Sequence, residues 1–330
     1  MSTDQNWHAG RLFGVSSDYW KSCALHAAVK LEIFSNLGEK HLSPAEISER
    51  TACSERGMVV LLNTMVAMGL LSHHDDLYAN TSSSLELLDK NSPQYVGHII
   101  MHHHHMVDGW SKLDQAVITG RPVEARSHGE DKERESFLMG MFNLAMGQAP
   151  TLAKQVNLDG RRHLLDLGGG PGTYAIHFCM ANPGLKATIL DLPTTREFAM
   201  DTVSKFGMSD RIDFMAGDYH DQIKGQFDAA WLSHIIHSNG PDECEVIINK
   251  TVAALKPGGM IMIHDFFLSD TMDGPYFPAI FSLNMLIHNE RGRSYSGAEI
   301  SAMLERAGVM DIHRLPFQAP NDSYVLCGTV

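Results

Sequence analysis

Cysteine is scarce in this chain of 330 residues: Cys23, Cys53, Cys179, Cys244 and Cys327 make an odd total, scattered singly with no C-x-x-C pair. That excludes a disulfide framework and a thiolate metal site, and a chain of this length buries enough core to fold without staples. Cations are also short, with 26 Lys and Arg against 39 Asp and Glu and a formal net charge of −13. A phosphate backbone or an anionic bilayer surface is repelled by such a balance, so we expect no nucleic-acid partner and no membrane. No run of about 18 apolar residues is present, and residues 1–10 lack the basic-then-apolar pattern of a secretory leader, which makes the expected location cytoplasmic. Internal repeats and low-complexity tracts are missing too. What remains, 44% hydrophobic, 20% charged and 8% aromatic residues, is a globular composition of about two domains' length.

The first 91 residues read as helical. Ala24, Leu25, Ala28, Leu31, Ile33 and Phe34 recur at helix-like offsets before Gly38, which predicts one buried helix. Ser43-Pro44-Ala45-Glu46 supplies an N-cap, a first-turn proline and an acid for a capping box, and Ser54 opens a third, nearly all-apolar helix ending at Gly69. Leu70-Leu71-Ser72 and Leu77-Tyr78 around a polar turn form a small wing. The pattern is winged-helix-like, but the third helix carries Arg56 as its only Lys or Arg, which favours packing against a second copy over insertion in a DNA groove. Residues 92–157 read as a Met- and His-rich helical linker with a mobile connection at 125–135. From residue 158 onward, strand patterns at 163–167, 187–191, 212–216, 227–232 and 260–267 alternate with helical ones. This predicts an α/β domain with a doubly wound, mostly parallel sheet covered on both faces.

The most specific local signal is Leu164-Leu165-Asp166-Leu167-Gly168-Gly169-Gly170-Pro171-Gly172-Thr173, a buried strand entering a glycine turn and a helix. Such a turn lets a ligand approach main-chain atoms at the helix N-terminus. A dinucleotide fingerprint needs glycine at 173, where this chain has threonine, and its last glycine is instead Gly172. Asp166 stands where it can meet an ammonium group. Asp191, nineteen residues beyond Gly172, stands where a carboxylate takes ribose hydroxyls, and Asp218 ends the next strand. Three acids around one glycine turn suit an adenosine bearing an amino acid and a sulfonium better than one bearing pyrophosphate.

On these residues the chain resembles the class I S-adenosylmethionine-dependent methyltransferases. The stretches Trp231-Leu232-Ser233-His234-Ile235-Ile236-His237-Ser238-Asn239-Gly240-Pro241-Asp242-Glu243-Cys244, Leu255-Lys256-Pro257-Gly258-Gly259 and Ile263-His264-Asp265 narrow this to a resemblance to the small-molecule O-methyltransferases, typified by plant caffeate and flavonoid enzymes and bacterial antibiotic-tailoring enzymes. The resemblance covers nearly the whole chain and implies an N-terminal dimerisation domain (1–91), a linker contributing to the substrate pocket (92–157) and a cofactor domain (158–330). It further implies S-adenosylmethionine as cofactor, a homodimer, and a small, apolar, aromatic hydroxylated acceptor. His237 matches the family's general base and Asp265 the carboxylate that orients it. Cofactor positions fall on Asp166, Gly168, Gly170, Asp191, Leu192, Asp218, Tyr219 and Ser233. Substrate positions fall on Trp110, Phe142, Asn143, Met146, Phe281, Asn284 and Met285. The chain departs from the family at Ser238, where Asp is usual, and at Ser294, where a second orienting Glu is expected.

Three other readings stay open at this level: a ligand sensor that kept the fold, a methyltransferase acting on carbon or nitrogen of a macrocycle or quinone-like acceptor, and a nicotinamide dehydrogenase. The run His102-His103-His104-His105 puts His102 and His105 on one helix face, yet it lacks a second ligand pair at metal-site spacing, so no metal is expected.

Overall fold

The computed structural model describes residues 7–123, 131–317, 319 and 321–330. Two compact units emerge, Met1–Met106 with Glu135–Asn143, and Val107–Arg134 with Leu144–Val330. The stretch 92–157 is therefore divided between them, and most of the connection expected at 125–135 lies outside the described residues.

In the first unit, helices Ala9–Ser17, Tyr19–Lys30, Ile33–Leu37, Pro44–Thr51 and Glu55–Ala67 precede a hairpin of β1 (Leu71–His74) and β2 (Leu77–Asn80), then helices Ser82–Leu88 and Gly97–His105. The capping box forms as expected: Ser43 N donates to Glu46 Oε2 at 2.8 Å and Glu46 N to Ser43 Oγ at 3.4 Å. Ile33, Phe34, Leu37, Ile47, Met58, Leu62 and Met65 make one buried cluster with Tyr78 and Leu88. Full burial of such aliphatic side chains contributes about 1.5–3 kcal/mol each.

The single buried helix predicted before Gly38 is corrected in two ways. It breaks at Glu32, whose φ is +55°, so that Ile33, Phe34 and Leu37 enter the core from a separate turn. Its first segment buries only His26, Ala28 and Val29, while Tyr19 and Trp20 remain exposed in this chain. The His102–His105 run ends a helix; His104 Nε2 lies 3.0 Å from Lys30 Nζ and the His102 ring packs edge-on against Phe137.

The second unit holds a seven-stranded sheet: β3 (His163–Leu167), β4 (Lys186–Asp191), β5 (Ile212–Ala216), β6 (Phe227–Ser233), β7 (Leu255–Asp265), β8 (Met310–Arg314) and β9 (Tyr324–Thr329). The order is β5-β4-β3-β6-β7-β9-β8, with the first five parallel and β9 antiparallel to both its neighbours. Alternate strand residues feed two separate cores. Leu164, Ala229, Trp231 and Met262 pack with helices Ala149–Gln155 and Thr173–Ala181, whereas Leu165, Leu167, Leu232 and Ile263 pack with Pro241–Ala253 and Gly297–Arg306. A sheet buried on both faces explains its near-continuous apolar strands. β3 and β6 adjoin where the strand order reverses, the place such sheets bind ligands. Gly172, at φ +77°, starts the helix after β3 so close to β4 that a Cβ there would lie 2.4 Å from Ile189 Cδ1. Among the described residues, no helix is long and apolar enough to cross a membrane.

Candidate active site

The carboxyl ends of β3 and β4 bring the predicted acids and glycines together. Asp166 is 1% exposed, and its Oδ2 accepts the amide of Ala175 in the first turn of the following helix at 3.2 Å. Burial, with a contribution from Asp191, pushes its carboxyl up to about 7. Gly170 N donates to Asp191 Oδ2 at 2.8 Å, while Leu192 N and Thr195 Oγ1 donate to Oδ1 at 2.7 and 3.0 Å. Burial raises Asp191 as well, against those three hydrogen bonds. Gly168, at φ +64°, leaves a cradle that a Cβ would fill at 2.7 Å from Ile235 Cγ2, with Tyr219 alongside. Asp218 is exposed beyond β5 and accepts the His220 amide at 2.8 Å.

Ser233 closes β6. Its register partner in β7 is His264, and its hydroxyl lies 3.0 Å from His264 Nδ1. His264 Nε2 lies 3.0 Å from Ser323 Oγ, which in turn donates to Asn321 Oδ1. Ser323 Oγ thus accepts from Nε2–H, leaving Nδ1 to accept from Ser233. Burial, helped by His234, keeps this imidazole far on the neutral side.

At the end of β6 the chain turns through a short 3₁₀ segment, Ile236–Ser238, that presents His237 to β7. His237 Nδ1 is 2.6 Å from Asp265 Oδ1, and the His237 amide donates to Oδ2 at 3.2 Å. Both side chains are buried. Burial alone would raise Asp265, but His237 and then His234 override it and hold the carboxyl well below the usual carboxylate range. An ionised Asp265 only accepts, so His237 Nδ1 is the donor in this pair, and Nε2 is the ring nitrogen left to exchange a proton with a ligand.

Aromatic rings surround this pair. Phe281 meets the His237 ring edge-on at 4.8 Å, Phe266 lies 4.6 Å from Phe281, and Phe277 is 4.9 Å from Phe266. Trp110 Nε1 donates to the buried Asn284 Oδ1 at 3.1 Å, and Met285 is fully buried. Met146 turns its sulfur to His177 Nε2 at 3.3 Å. Phe142 and Asn143 belong to the first unit, where Asn143 Nδ2 donates to the Tyr95 carbonyl at 2.8 Å. Ser294, at the position of the expected second carboxylate, donates instead to the Pro278 carbonyl at 2.8 Å.

Sequence reasoning did not single out Phe266, Phe277 or His234. His234 has φ +57° and its Nδ1 lies 3.6 Å from Asp265 Oδ1. Among the described residues, His234, His237 and Asp265 are the one group whose metal-ligand-type atoms fall within 4.8 Å of one another. Two ligands of one tetrahedral zinc stand about 3.3 Å apart. The 2.6 Å between His237 and Asp265 is a hydrogen bond instead.

A family model of the O-methyltransferase domain matches residues 110–310, and one of the O-methyltransferase dimerisation domain matches residues 13–90. The chain belongs to the O-methyltransferase family. This family is S-adenosylmethionine-dependent. Among its relatives, a 3-hydroxy-5-methyl-1-naphthoate 3-O-methyltransferase of Streptomyces sahachiroi is 31% identical over 96% of this chain and 94% of that protein. A tetracenomycin polyketide synthesis 8-O-methyl transferase of Streptomyces glaucescens is 29% identical, covering 94% of each. The solved structure of an O-methyltransferase family protein from Burkholderia thailandensis superposes with a TM-score of 0.87 at 25% identity, covering 98% of both chains. This methyltransferase's own residues fit the cofactor: the cradle at Gly168, the buried Asp166 for an ammonium and Asp191 for ribose hydroxyls are chemically complementary to S-adenosylmethionine.

Proposed function

We propose that this enzyme methylates the hydroxyl of a small, flat, largely apolar aromatic acceptor, with His237 as general base and Asp265 as the group that orients it. The observation that carries the reading is the 2.6 Å contact between His237 Nδ1 and Asp265 Oδ1 inside a wall of Phe266, Phe277 and Phe281. The bound cofactor, held by Asp166, Gly168, Gly170, Asp191, Leu192, Asp218 and Tyr219, supplies an electrophilic methyl group on a sulfonium. His237 Nε2 removes the acceptor's phenolic proton, whose pKa near 10 otherwise leaves the hydroxyl a weak nucleophile at neutral pH. Asp265 stabilises the imidazolium so formed. Phe281 and its neighbours hold an aromatic plane and exclude water, while Trp110, Asn284 and Met285 support that wall; much of the acceleration comes from this alignment. The Streptomyces sahachiroi relative, named as the 3-O-methyltransferase of a 3-hydroxy-naphthoate, supports an aromatic acceptor.

The protein acts as a homodimer through residues 1–91 in this reading, supported by the dimerisation-domain match and by exposed Phe13, Tyr19 and Trp20. Its five free cysteines suit the cytoplasm. The test is calorimetric titration of cofactor-free protein with S-adenosylhomocysteine and, in parallel, NAD, followed by labelled methyl transfer to a panel of phenols by wild type and His237→Ala. Binding of the homocysteine compound alone and a loss of transfer in the variant are expected. A His237→Ala enzyme with full turnover would refute the base assignment.

A further inference from the structure

The carboxylate of Asp265 has two imidazoles beside it. Its Oδ1 takes His237 Nδ1–H at 2.6 Å and the Phe266 amide at 2.8 Å, and its Oδ2 takes the His237 amide at 3.2 Å. The remaining approach to Oδ1 belongs to His234, whose Nδ1 stops 3.6 Å short, just beyond hydrogen-bond reach. That nitrogen is buried and has no hydrogen-bond partner among the described residues. An orphaned buried nitrogen is costly unless something in the working state satisfies it. Catalytic hydrogen bonds in ligand-free sites are often long and tighten when the site fills.

The backbone reinforces this. His234 adopts a left-handed conformation, φ +57°, uncommon outside glycine but one that His, like Asn and Asp, takes more readily than most side chains, while its amide still donates to the His264 carbonyl at 2.8 Å. Its ring is gripped by Phe266 at 4.4 Å and by the edge of His264 at 4.5 Å. A gripped ring and an unsatisfied nitrogen thus meet at one carboxylate oxygen. Meanwhile the second carboxylate expected around the base is replaced by Ser294, which bonds Pro278.

We infer that His234 is a positioning residue for methyl transfer: its imidazole donates to Asp265 when the site is filled and fixes the carboxylate oxygen on which His237 turns, in place of a second acidic residue. This rests on His237 being the base, and it assigns to His234 no contact with the acceptor.

Three variants separate the donor from the ring and the backbone. His234→Phe keeps a ring between Phe266 and His264 but has no donor; His234→Asn suits the left-handed backbone and keeps an N–H; His234→Gly relaxes the backbone and removes both. Each is measured for melting temperature, S-adenosylhomocysteine affinity, and kcat and KM over phenols of increasing acidity. We expect kcat of His234→Phe to fall about tenfold on a weakly acidic phenol, with acceptor KM and S-adenosylhomocysteine affinity unchanged. The deficit should vanish for a phenol already ionised at the assay pH, and His234→Asn should recover part of it where His234→Gly does not. A deficit equal across the acidity series, or one that follows cofactor affinity or melting temperature, overturns the inference. Undiminished kcat in His234→Phe beside a damaged His237→Ala overturns it while leaving the base in place. Undiminished kcat in His237→Ala removes both.

Discussion

Replacing Asp265 by Asn changes almost no volume but deletes the charge opposite His237, the base proposed above. Asp265 Oδ1 receives two donors, His237 Nδ1–H and the Phe266 amide, and Oδ2 receives the His237 amide. An asparagine can put its oxygen at only one of these places. With oxygen at the Oδ1 position the His237 tautomer survives, but two N–H groups then face each other at the former Oδ2. With the amide nitrogen there instead, His237 must accept on Nδ1, and its Nε2 holds a proton and ceases to be a base. Even in the better orientation the imidazolium formed during transfer loses its counter-charge. Unit charges about 4 Å apart interact by about 4 kcal/mol at an effective dielectric of about 20. A neutral hydrogen bond returns about 1 kcal/mol of that. The remaining 3 kcal/mol or so corresponds to roughly a hundredfold loss in kcat. Labelled methyl transfer at saturating donor, with calorimetric S-adenosylhomocysteine affinity as the control, reads this directly. A variant within about threefold of wild type, with cofactor affinity intact, would refute the assignment of Asp265.

Asp166→Asn should separate stability from binding. Burial lifts Asp166 to about 7, from 3.8 for the unperturbed group, so the cofactor-free folded chain holds a proton that the unfolded chain has released, and this group's contribution to stability is lost as pH rises through about 7. The variant should therefore melt a few degrees above wild type at pH 8, with a smaller gain at pH 5.5, yet bind S-adenosylhomocysteine at least tenfold more weakly; melts at both pH values and calorimetry check this. Gly168→Ala should abolish measurable cofactor binding, because its Cβ meets Ile235 at 2.7 Å from a φ of +64°, and should destabilise by about 1–3 kcal/mol in urea titration. Phe13→Asp, on an exposed apolar helix face, should shift the dimer to monomer in light scattering while leaving the far-ultraviolet dichroism unchanged.

The parallel part of the sheet was legible because most of β3 to β7 is apolar and β3 runs straight into a glycine turn and a helix. β8 and β9 were not. Met310–Arg314 is largely exposed and only five residues long, and Tyr324–Thr329 is a short run whose place between β7 and β8 depends on long-range pairing. The break at Glu32 escaped for a related reason: glutamate carries no signal for a left-handed residue. In the site, Asp166 and Asp191 could be read from strand ends and spacing, whereas His237 and Asp265 came from the resemblance to the small-molecule O-methyltransferases. The hydrogen bond between Ser233 and His264 was not legible, because it depends on the β6–β7 register, which is not written locally in either strand. His234 escaped because its role rests on a backbone angle and on a carboxylate thirty-one residues away.

The position of β9 bears on how the chain is made. Of the seven strands it is the last to leave the ribosome, yet it lies inside the sheet, with β7 on one side and β8 on the other. Between synthesis of Asp265 and of Tyr324, roughly sixty residues and several seconds at about 5–20 residues per second, β7 has an unpaired edge and β8 has no neighbour at all. The Asp265 carboxylate sits at the end of that waiting strand. A nascent chain thus displays an apolar β-edge ending in Asp265 before the sheet can close over it, an edge open to pairing with other chains in that interval.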